Sequence, residues 1–198
     1  MNDYQYYREN NDELKSEPKN IDCNVLDHHF KFKTDNGVFS KDYLDYATRI
    51  LLENYPLDKG KSLLDLGCGY GPVGIVYSTL YQVNSTYVDV NKRAVELTKY
   101  NLKSNHLDGN VILSDGFSEL DNLKFDYIVT NPPIRAGKAV IYKMFEDAKD
   151  HLNQDGKLVI VIQEHHGAKS ALKKLGEFFI KIHIIYKKKG FYVIEAQL

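Results

Sequence analysis

Residues 63–74 read LLDLGCGYGPVG, and this stretch decides the fold of the 198-residue chain. A short apolar run with a carboxylate leads into a glycine-rich turn, and an apolar segment begins directly behind the turn. This order is typical of a buried strand, a tight loop and the first turn of a helix. Because Gly67, Gly69 and Gly71 carry no Cβ, the backbone can bend sharply and approach a ligand closely. The stretch therefore predicts a turn that holds a flat or anionic ligand.

Two cofactor classes use such a turn, and two glycine spacings fit this one. The dinucleotide pattern G-x-G-x-x-G is met by Gly69, Gly71 and Gly74, with a helix N-terminus behind it for a pyrophosphate. The pattern D-x-G-x-G-x-G is met from Asp65 to Gly71, and its carboxylate would repel a pyrophosphate but attract an ammonium group. In this second form the stretch resembles the first motif of the class I S-adenosylmethionine-dependent methyltransferases. The resemblance implies S-adenosylmethionine as the cofactor, and an NAD-dependent oxidoreductase is the alternative.

Two further predicted strands also end in a carboxylate, Asp89 and Asp115. Parallel strands present their carboxyl ends at one edge of a sheet, where open α/β folds bind their ligands. Asp89 is placed to accept both ribose hydroxyls of a nucleoside cofactor of either class, and capping of the next helix is its alternative role. The resemblance implies that Asp115 accepts a hydrogen bond from the adenine amino group, with Gly116 and Phe117 beside the ring.

The fourth strand of the predicted sheet runs directly into Asn131-Pro132-Pro133-Ile134. Two successive prolines fix φ and lack N–H donors, so the carbonyls there are rigidly aimed, and the Asn131 side chain adds another acceptor. Together these acceptors can take both hydrogens of an exocyclic amine and aim its lone pair at a methyl donor. The sequence resembles the Asn-Pro-Pro-aromatic signature of amino-methylating nucleic-acid methyltransferases. An ordinary turn at the end of a strand is the alternative.

Ile134 departs from that signature, because the position usually carries an aromatic residue that stacks on the base. Phe39 and Tyr192 are the other candidates for stacking. Residues 35–45 resemble the entry segment of the small-subunit ribosomal RNA guanine-N2 methyltransferases and their single-domain relatives. This resemblance implies that Phe39 and Ser40 border the methionine or target pocket, and a buried Phe beside a helix cap is the alternative.

The candidate site residues form three groups. The catalytic residues are Asn131, Pro132, Pro133 and Ile134. The cofactor-binding residues are Asp65, Gly67, Cys68, Gly69, Gly71, Asp89, Val90, Asp115, Gly116, Phe117 and Asn131. The substrate-binding residues are Phe39, Ser40, Arg135 and Lys138, of which the two cations either contact phosphates or are solvated surface charges.

Composition and charge limit the classes of function. Lys and Arg number 26 and Asp and Glu 27, for a formal net charge of -1, so any contact with RNA must be local. Cys23 and Cys68 form no disulfide framework, and the sequence has no signal segment or apolar run of membrane-spanning length. The histidine pairs at 28–29 and 165–166 lack the spacing of metal ligands. We expect a cytoplasmic monomer that contacts no metal and no membrane.

Length and hydrophobic content suit a single domain. Residues 1–21 are expected to form a flexible arm, in which Tyr4, Tyr6 and Tyr7 either cover the sheet or stack on bases. Residues 22–198 are expected to form one methyltransferase domain. Besides the strand and helix at the glycine turn, the predicted strands are residues 25–33, 85–89, 111–115, 125–130, 157–162, 180–186 and 191–196. The predicted helices are residues 41–54 capped by Ser40, 91–105, 139–152 ended by Gly156, and 168–178.

The sequence predicts a hairpin at each end of the chain. A turn at residues 35–37 indicates a small N-terminal hairpin. Residues 187–190 are too short a connection for a parallel crossover, so the last two strands form an antiparallel hairpin. The predicted fold is α/β, a Rossmann-like class I methyltransferase with a mostly parallel seven-stranded sheet ending in an antiparallel hairpin.

The resemblance also implies a reaction and a partner. It implies methylation of an exocyclic amine, guanine N2 in small-subunit ribosomal RNA, with the RNA or the small ribosomal subunit as partner. Adenine N6 and a protein amine are the alternative acceptors, because Asn-Pro-Pro serves several targets.

Overall fold

The computed structural model describes residues 6, 7, 9 and 13–198 of the chain. In that part the strands are β1 (Lys19–Val25), β2 (His28–Thr34), β3 (Ser62–Leu66), β4 (Asn84–Asp89), β5 (Asn110–Leu113), β6 (Phe125–Thr130), β7 (Leu152–Gln163), β8 (Lys181–Lys188) and β9 (Phe191–Gln197). The helices are α1 (Tyr46–Asn54), α2 (Pro72–Tyr81), α3 (Lys92–Ser104), α4 (Lys138–Ala148) and α5 (Ala168–Leu175). Short 3₁₀ turns occupy Ile134–Ala136, Lys149–His151 and Glu164–His166. No helix in the described residues is long and apolar enough to cross a membrane.

Strands β3 to β9 form one seven-stranded sheet in the order β5-β4-β3-β6-β7-β9-β8. The first five are parallel, whereas β9 runs antiparallel to both β7 and β8. Lys189 and Gly190 connect β8 to β9 with positive φ values of 53° and 75°, which matches the twist that a two-residue hairpin needs. The predicted fold class, with its parallel sheet and terminal antiparallel hairpin, is confirmed.

The buried residues form two apolar clusters, one on each face of the sheet. Residues of β7 show the alternation, because Val159 and Val161 belong to one cluster and Leu158 and Ile160 to the other. Side chains of a strand point to opposite faces in turn, so a strand that is apolar throughout is covered on both sides. Helices α1 to α3 and the N-terminal strands contribute to the first cluster, and α4 and α5 contribute to the second. Both faces of the sheet are therefore covered, and the carboxyl ends of its parallel strands remain for a ligand.

The N-terminal hairpin differs from its prediction in the position of its turn. Strands β1 and β2 pair antiparallel around Leu26 and Asp27, whose φ values are 47° and 64°. The predicted N-terminal hairpin is therefore confirmed and its second strand, β2, covers most of residues 25–33, but the turn at 35–37 follows the hairpin instead of forming it, and that part of the prediction was wrong. Asp35 is buried and accepts hydrogen bonds from the Glu17 and Asn36 amides at 2.7 Å each. The Asp35 segment thus anchors the chain that precedes the hairpin, and β1 already begins at Lys19.

Helix α1 begins later than predicted. Its N-cap is Asp45, whose Oδ2 accepts a hydrogen bond from the Thr48 amide at 2.9 Å. Ser40 instead has a left-handed φ of 52°, and its hydroxyl donates to the Tyr43 carbonyl at 2.7 Å. Ser and Asp are comparable caps, so residue type alone does not choose between them, and the prediction of Ser40 as the cap was wrong.

Helix α4 ends at Ala148, and β7 begins at Leu152 and runs through Gly156. A Cβ at Gly156 would lie 2.9 Å from the backbone oxygens of Phe125 and Asn153. Glycine here permits a bulge in the pairing of β6 with β7, so the prediction that it ends a helix was wrong. Helix α5 likewise ends at Leu175 rather than at residue 178.

Candidate active site

A cavity of about 740 Å³ opens at the carboxyl edge of the parallel strands. Open α/β sheets bind ligands at this edge, where the strand order reverses. Of the predicted cofactor-binding residues, the cavity is lined by Asp65, Gly67, Cys68, Gly69, Asp89, Val90, Asp115, Gly116, Phe117 and Asn131. Gly71 is the exception, because it serves as the N-cap of α2 with a φ of 89°.

The glycine turn presents bare backbone to the cavity. Gly67 and Gly69 have φ values of 75° and 59°, and a Cβ at either position would meet no heavy atom within 4 Å. The Gly67 and Cys68 amides donate to the Val88 carbonyl at 2.8 and 2.9 Å, and the Thr98 hydroxyl donates to the Gly69 carbonyl at 2.9 Å. The turn is therefore a fixed, open cradle into which a ligand can come close.

Asp65 and Gly74 join the strand to the helix behind the turn. The Gly74 amide donates to Asp65 Oδ2 at 2.9 Å, and a Cβ at Gly74 would lie 2.2 Å from Tyr87 Cε1. Burial raises the pKa of Asp65 to about 7, an effect that the Gly74 N–H opposes and the nearby Asp89 charge reinforces. The third glycine of the dinucleotide spacing thus serves helix packing, and a cationic ligand group beside Asp65 would stabilise its carboxylate form.

Asp89 is held by backbone amides on both of its oxygens. Oδ2 accepts from the Gly69 amide and Oδ1 from the Asn91 amide, each at 2.8 Å. Burial raises the pKa of Asp89 to about 6, although these amide bonds favour the ionised form. A carboxylate oxygen has room for more than one hydrogen bond, so Asp89 can receive a vicinal diol while it stays fixed.

The described N-terminal residues cover the cavity beside Asp115. The Tyr7 hydroxyl donates to Asp115 Oδ1 at 3.2 Å, and burial with that carboxylate raises the pKa of Tyr7 to about 12. The Tyr6 ring lies 5.4 Å from the Phe39 ring, and the Tyr6 carbonyl accepts from Asn91 Nδ2 at 3.2 Å. The sequence offered no periodicity to place these tyrosines, and Tyr4 lies outside the described residues.

Asn131 is fixed by side chains of α1 and its cap. Its Nδ2 donates to Asp45 Oδ2 at 3.0 Å and contacts Thr48 Oγ1 at 3.1 Å. A carboxylate oxygen only accepts, so this contact identifies the amide nitrogen and leaves Oδ1 as the acceptor on the other side. Pro132 and Pro133 line the cavity beside it, as do Asp45 and Thr48. The sequence motif contained Asp45, but its contact with residue 131 could not be read from spacing.

Four residues that were predicted to belong to the site are not part of the cavity wall. Ile134 packs against the apolar cluster beneath α4 and is not part of the cavity wall. Arg135 and Lys138 are exposed outside the cavity. Tyr192 is 2% exposed and its hydroxyl lies 3.4 Å from Glu164, so it cannot stack on a base. Phe39 is 43% exposed and lines the cavity with Ser40.

The histidine pairs have partners other than a metal. His29 contacts Asp22 and Asn24 at 3.0 Å each, and the rings of His165 and His166 lie 4.1 Å apart. Among the residues that the structure describes, no three His, Cys, Asp or Glu side chains are grouped to hold a metal ion.

The order of strands and the position of the cavity are those of the class I S-adenosylmethionine-dependent methyltransferases. The family model for the methyltransferase small domain matches residues 29–195. The chain belongs to this family and is an S-adenosylmethionine-dependent methyltransferase. The nicotinamide cofactor that the glycine spacing also allowed is thereby set aside.

Three known proteins show how the chain relates to its family. It is 39% identical over 198 residues to the uncharacterized protein YbxB of Bacillus subtilis, covering 98% of each chain. It is 40% identical over 149 residues to ribosomal RNA small subunit methyltransferase C of Pseudoalteromonas translucida, covering 72% of this chain and 43% of that one. The structure of the Thermus thermophilus 16S rRNA N2 G1207 methyltransferase, bound to AdoMet and guanosine, aligns with a TM-score of 0.83 at 26% identity. That alignment covers 93% of this chain and 51% of the other, so the chain spans about half the length of these ribosomal RNA methyltransferases.

Proposed function

We propose that the chain transfers a methyl group from S-adenosylmethionine to the exocyclic N2 amine of a guanine in small-subunit ribosomal RNA. The observation that carries the proposal is the amide of Asn131, held by Asp45 and Thr48 at the cavity wall that Pro132 also lines. The names of the relatives support the substrate class, because two of them are ribosomal RNA methyltransferases and one was solved with guanosine. A cytoplasmic location is part of this proposal, because a ribosomal substrate is encountered there.

The lining residues fit the cofactor group by group. The open cradle at Gly67 and Gly69 has room for the close approach of a ligand. Asp89 is assigned to the two ribose hydroxyls, and Asp65, whose carboxylate a cation would stabilise, to the ammonium end. Asp115 is assigned to the adenine amino group, with Gly116 and Phe117 beside the ring. When bound, S-adenosylmethionine supplies an electrophilic methyl group on a sulfonium.

The chemical task of the protein is to activate a weak nucleophile. The lone pair of an exocyclic amine is delocalised into its base, so it has to be turned out of the ring plane. Asn131 Oδ1 and the Pro132 carbonyl can accept the two amine hydrogens, which favours the pyramidal nitrogen and stabilises the positive charge that develops there. One well-aimed group of this kind contributes about 3 kcal/mol to lowering a barrier. No side-chain base has to remove a proton before the methyl group is transferred, because the methylated nitrogen can release its extra proton to water after the transfer.

Phe39 and Ser40 are assigned to the target side of the cavity. Phe39 lines the cavity with an exposed ring, and an aromatic face can stack on a base with about 1–3 kcal/mol of binding energy. Ile134 does not take this role, because it faces the apolar cluster. Phe39 therefore replaces the aromatic residue that usually follows the Asn-Pro-Pro sequence.

The test is to identify the methylated nucleoside. The purified protein is incubated with methyl-labelled S-adenosylmethionine and either naked small-subunit ribosomal RNA or assembled small subunits, and the nucleosides are analysed by mass spectrometry. We expect label in N2-methylguanosine, and none with Asn131→Ala despite measurable cofactor binding. Label in N6-methyladenosine or in protein would assign a different acceptor. Cofactor binding without label in either substrate would contradict the ribosomal RNA assignment.

A further inference from the structure

The tip of the terminal hairpin lies at the same edge of the sheet as the cavity. The Glu164 amide, directly after β7, donates to the Gly190 carbonyl at 2.7 Å. Phe191 pairs with Gln163 at the carboxyl end of β7, and with Lys188 of β8. Lys187 is held against the Tyr192 ring, its Nζ lying 5.0 Å from the ring centroid. The lysines of the tip are thus fixed beside the last parallel strand.

The start of α4 reaches the same surface from the catalytic loop. Lys138 Cε is 3.9 Å from the point where a Cβ would stand on Gly167. The positive charge of Arg135 helps to lower the pKa of His166, after burial and the neighbouring His165. The residues that follow Asn131 therefore adjoin the 3₁₀ turn at 164–166, and that turn adjoins the hairpin tip.

These groups make one continuous basic surface, which we name the basic ridge. It consists of Arg135, Lys138, Lys169, Lys187, Lys188 and Lys189, all of which are exposed. Its acidic residue is Glu164, which lies 3.6 Å from Lys169 Nζ and accepts from the Tyr192 hydroxyl. The ridge thus carries a strong excess of positive charge in a chain whose formal net charge is only -1.

Acidic side chains line the cavity itself. Asp115, after β5, and Asp147 and Asp150, at the end of α4 and just after it, are among the lining residues, and Lys143 is paired with Asp147 there. The ridge carries the larger excess of positive charge, so a polyanion is attracted to the ridge rather than to the cavity lining.

We propose that the basic ridge binds the phosphate backbone of the RNA strand on the side of Asn131 away from the cofactor. The proposal rests on the proposed function for the identity of the polyanion as RNA. Phosphate contacts position a nucleic acid without reading its sequence, and each one adds salt-dependent affinity. The ridge sets the register of the strand, and Phe39 and the Asn131 loop receive the target base.

The experiment compares two triple variants with the same change of charge. The ridge variant is Lys187→Gln/Lys188→Gln/Lys189→Gln. The control is Lys59→Gln/Lys103→Gln/Lys124→Gln, whose exposed lysines stand before β3, in the last turn of α3 and before β6. Those positions lie at the amino ends of the parallel strands, whereas the cavity and the basic ridge lie at the carboxyl ends. Binding of a fluorescent small-subunit ribosomal RNA fragment is measured by anisotropy between 50 and 200 mM salt, and cofactor affinity is measured to check that each variant is folded.

We expect the ridge variant to bind RNA about tenfold more weakly, with a salt slope reduced by about 2, since each lost contact to a single strand contributes about 0.7. The control is expected to match the wild type. Equal weakening in both variants, or none in either, would overturn the ridge proposal.

A methylation assay separates the two proposals. If the wild type labels N2-methylguanosine while the ridge variant keeps the wild-type KM for RNA, the function stands and the ridge fails. If the wild type labels no ribosomal RNA but only the ridge variant loses RNA binding, the ridge stands and the proposed function fails.

Discussion

The two halves of the cavity hold their functional groups in different ways. In the cofactor half, Asp89 is fixed by the backbone amides of Gly69 and Asn91, which are 20 and 2 residues from it in sequence. In the target half, Asn131 is fixed by the side chains of Asp45 and Thr48, more than 80 residues away in sequence. A backbone amide survives almost any substitution, whereas a side-chain partner can be removed by one. The target half is therefore the more easily damaged of the two.

The cap of α1 and the position of Asn131 both depend on the carboxylate of Asp45. Its Oδ2 accepts both the Thr48 amide that caps α1 and the Asn131 amide nitrogen. The start of a helix and the orientation of a candidate catalytic amide thus share a single oxygen. Substitutions of Asp45 that keep one of these contacts and remove the other test whether the target half is the more sensitive to substitution.

The largest expected effects come from one substitution in each half of the cavity. We expect Asn131→Ala to lower the rate of methyl transfer by about 10²–10³-fold, with cofactor affinity changed less than about twofold. Asp89→Ala should do the opposite and weaken cofactor binding by at least about tenfold, because hydrogen bonds to a charged group contribute about 1.5–3 kcal/mol. Single-turnover rates at saturating cofactor and calorimetric Kd values separate the two. An equal loss of cofactor affinity in both variants would contradict the assignment of roles.

Asp45 is expected to act as a positioning residue through Asn131. Asp45→Ala removes the cap and the amide partner, which costs about 1 kcal/mol of stability and about tenfold in kcat. Asp45→Ser keeps a capping oxygen for the Thr48 amide but presents no carboxylate to Asn131. We expect the Ser variant to retain the wild-type Tm and still lose kcat, with the cofactor Kd unchanged in both. A Ser variant with full activity would show that capping is the whole role of Asp45.

The same contrast explains how much the sequence could predict. The glycine turn, the acids at strand ends and the terminal hairpin are signalled within a few residues each, because strand alternation and turn length are local constraints. The contact of Asp45 with Asn131 and the position of Tyr7 on Asp115 depend on packing between distant segments. Ser40 and Asp45 were both acceptable caps, and only the packing of α1 chose between them. Gly156 had the form of a helix end but permits a β-bulge, because its neighbours are the backbones of β6 and β7.

Cofactor affinity should fall as the pH falls through about 6. The pKa of Asp89 is raised to about 6, so below that pH the carboxyl is protonated and loses part of its capacity to accept two hydroxyls. We expect affinity to drop up to about tenfold between pH 7 and pH 5, since each unit below the pKa reduces the ionised fraction about tenfold. Asp89→Asn should remove this step. Asp65, with a pKa of about 7, is expected to give the remaining dependence, which Asp65→Asn would remove. An unchanged pH profile in the Asp89→Asn variant would separate Asp89 from the cofactor.

The smallest expected effect concerns Tyr7, at the rim of the cofactor half. Its hydroxyl donates to Asp115 across an exposed contact of 3.2 Å. This contact differs from those of both Asp89 and Asn131, because Asp115 is held by a side chain distant in sequence but water can replace the Tyr7 hydroxyl. Tyr7→Phe keeps the ring over the cavity and removes a bond of about 0.5 kcal/mol, which corresponds to about a twofold weaker cofactor Kd by calorimetry. Tyr7→Ala, which also removes the ring, is the matched comparison and should weaken binding further. If Tyr7→Phe alone weakened cofactor binding tenfold, Asp115 would depend on a side-chain partner as Asn131 does. The difference between the two halves would then be confined to Asp89 and the glycine turn.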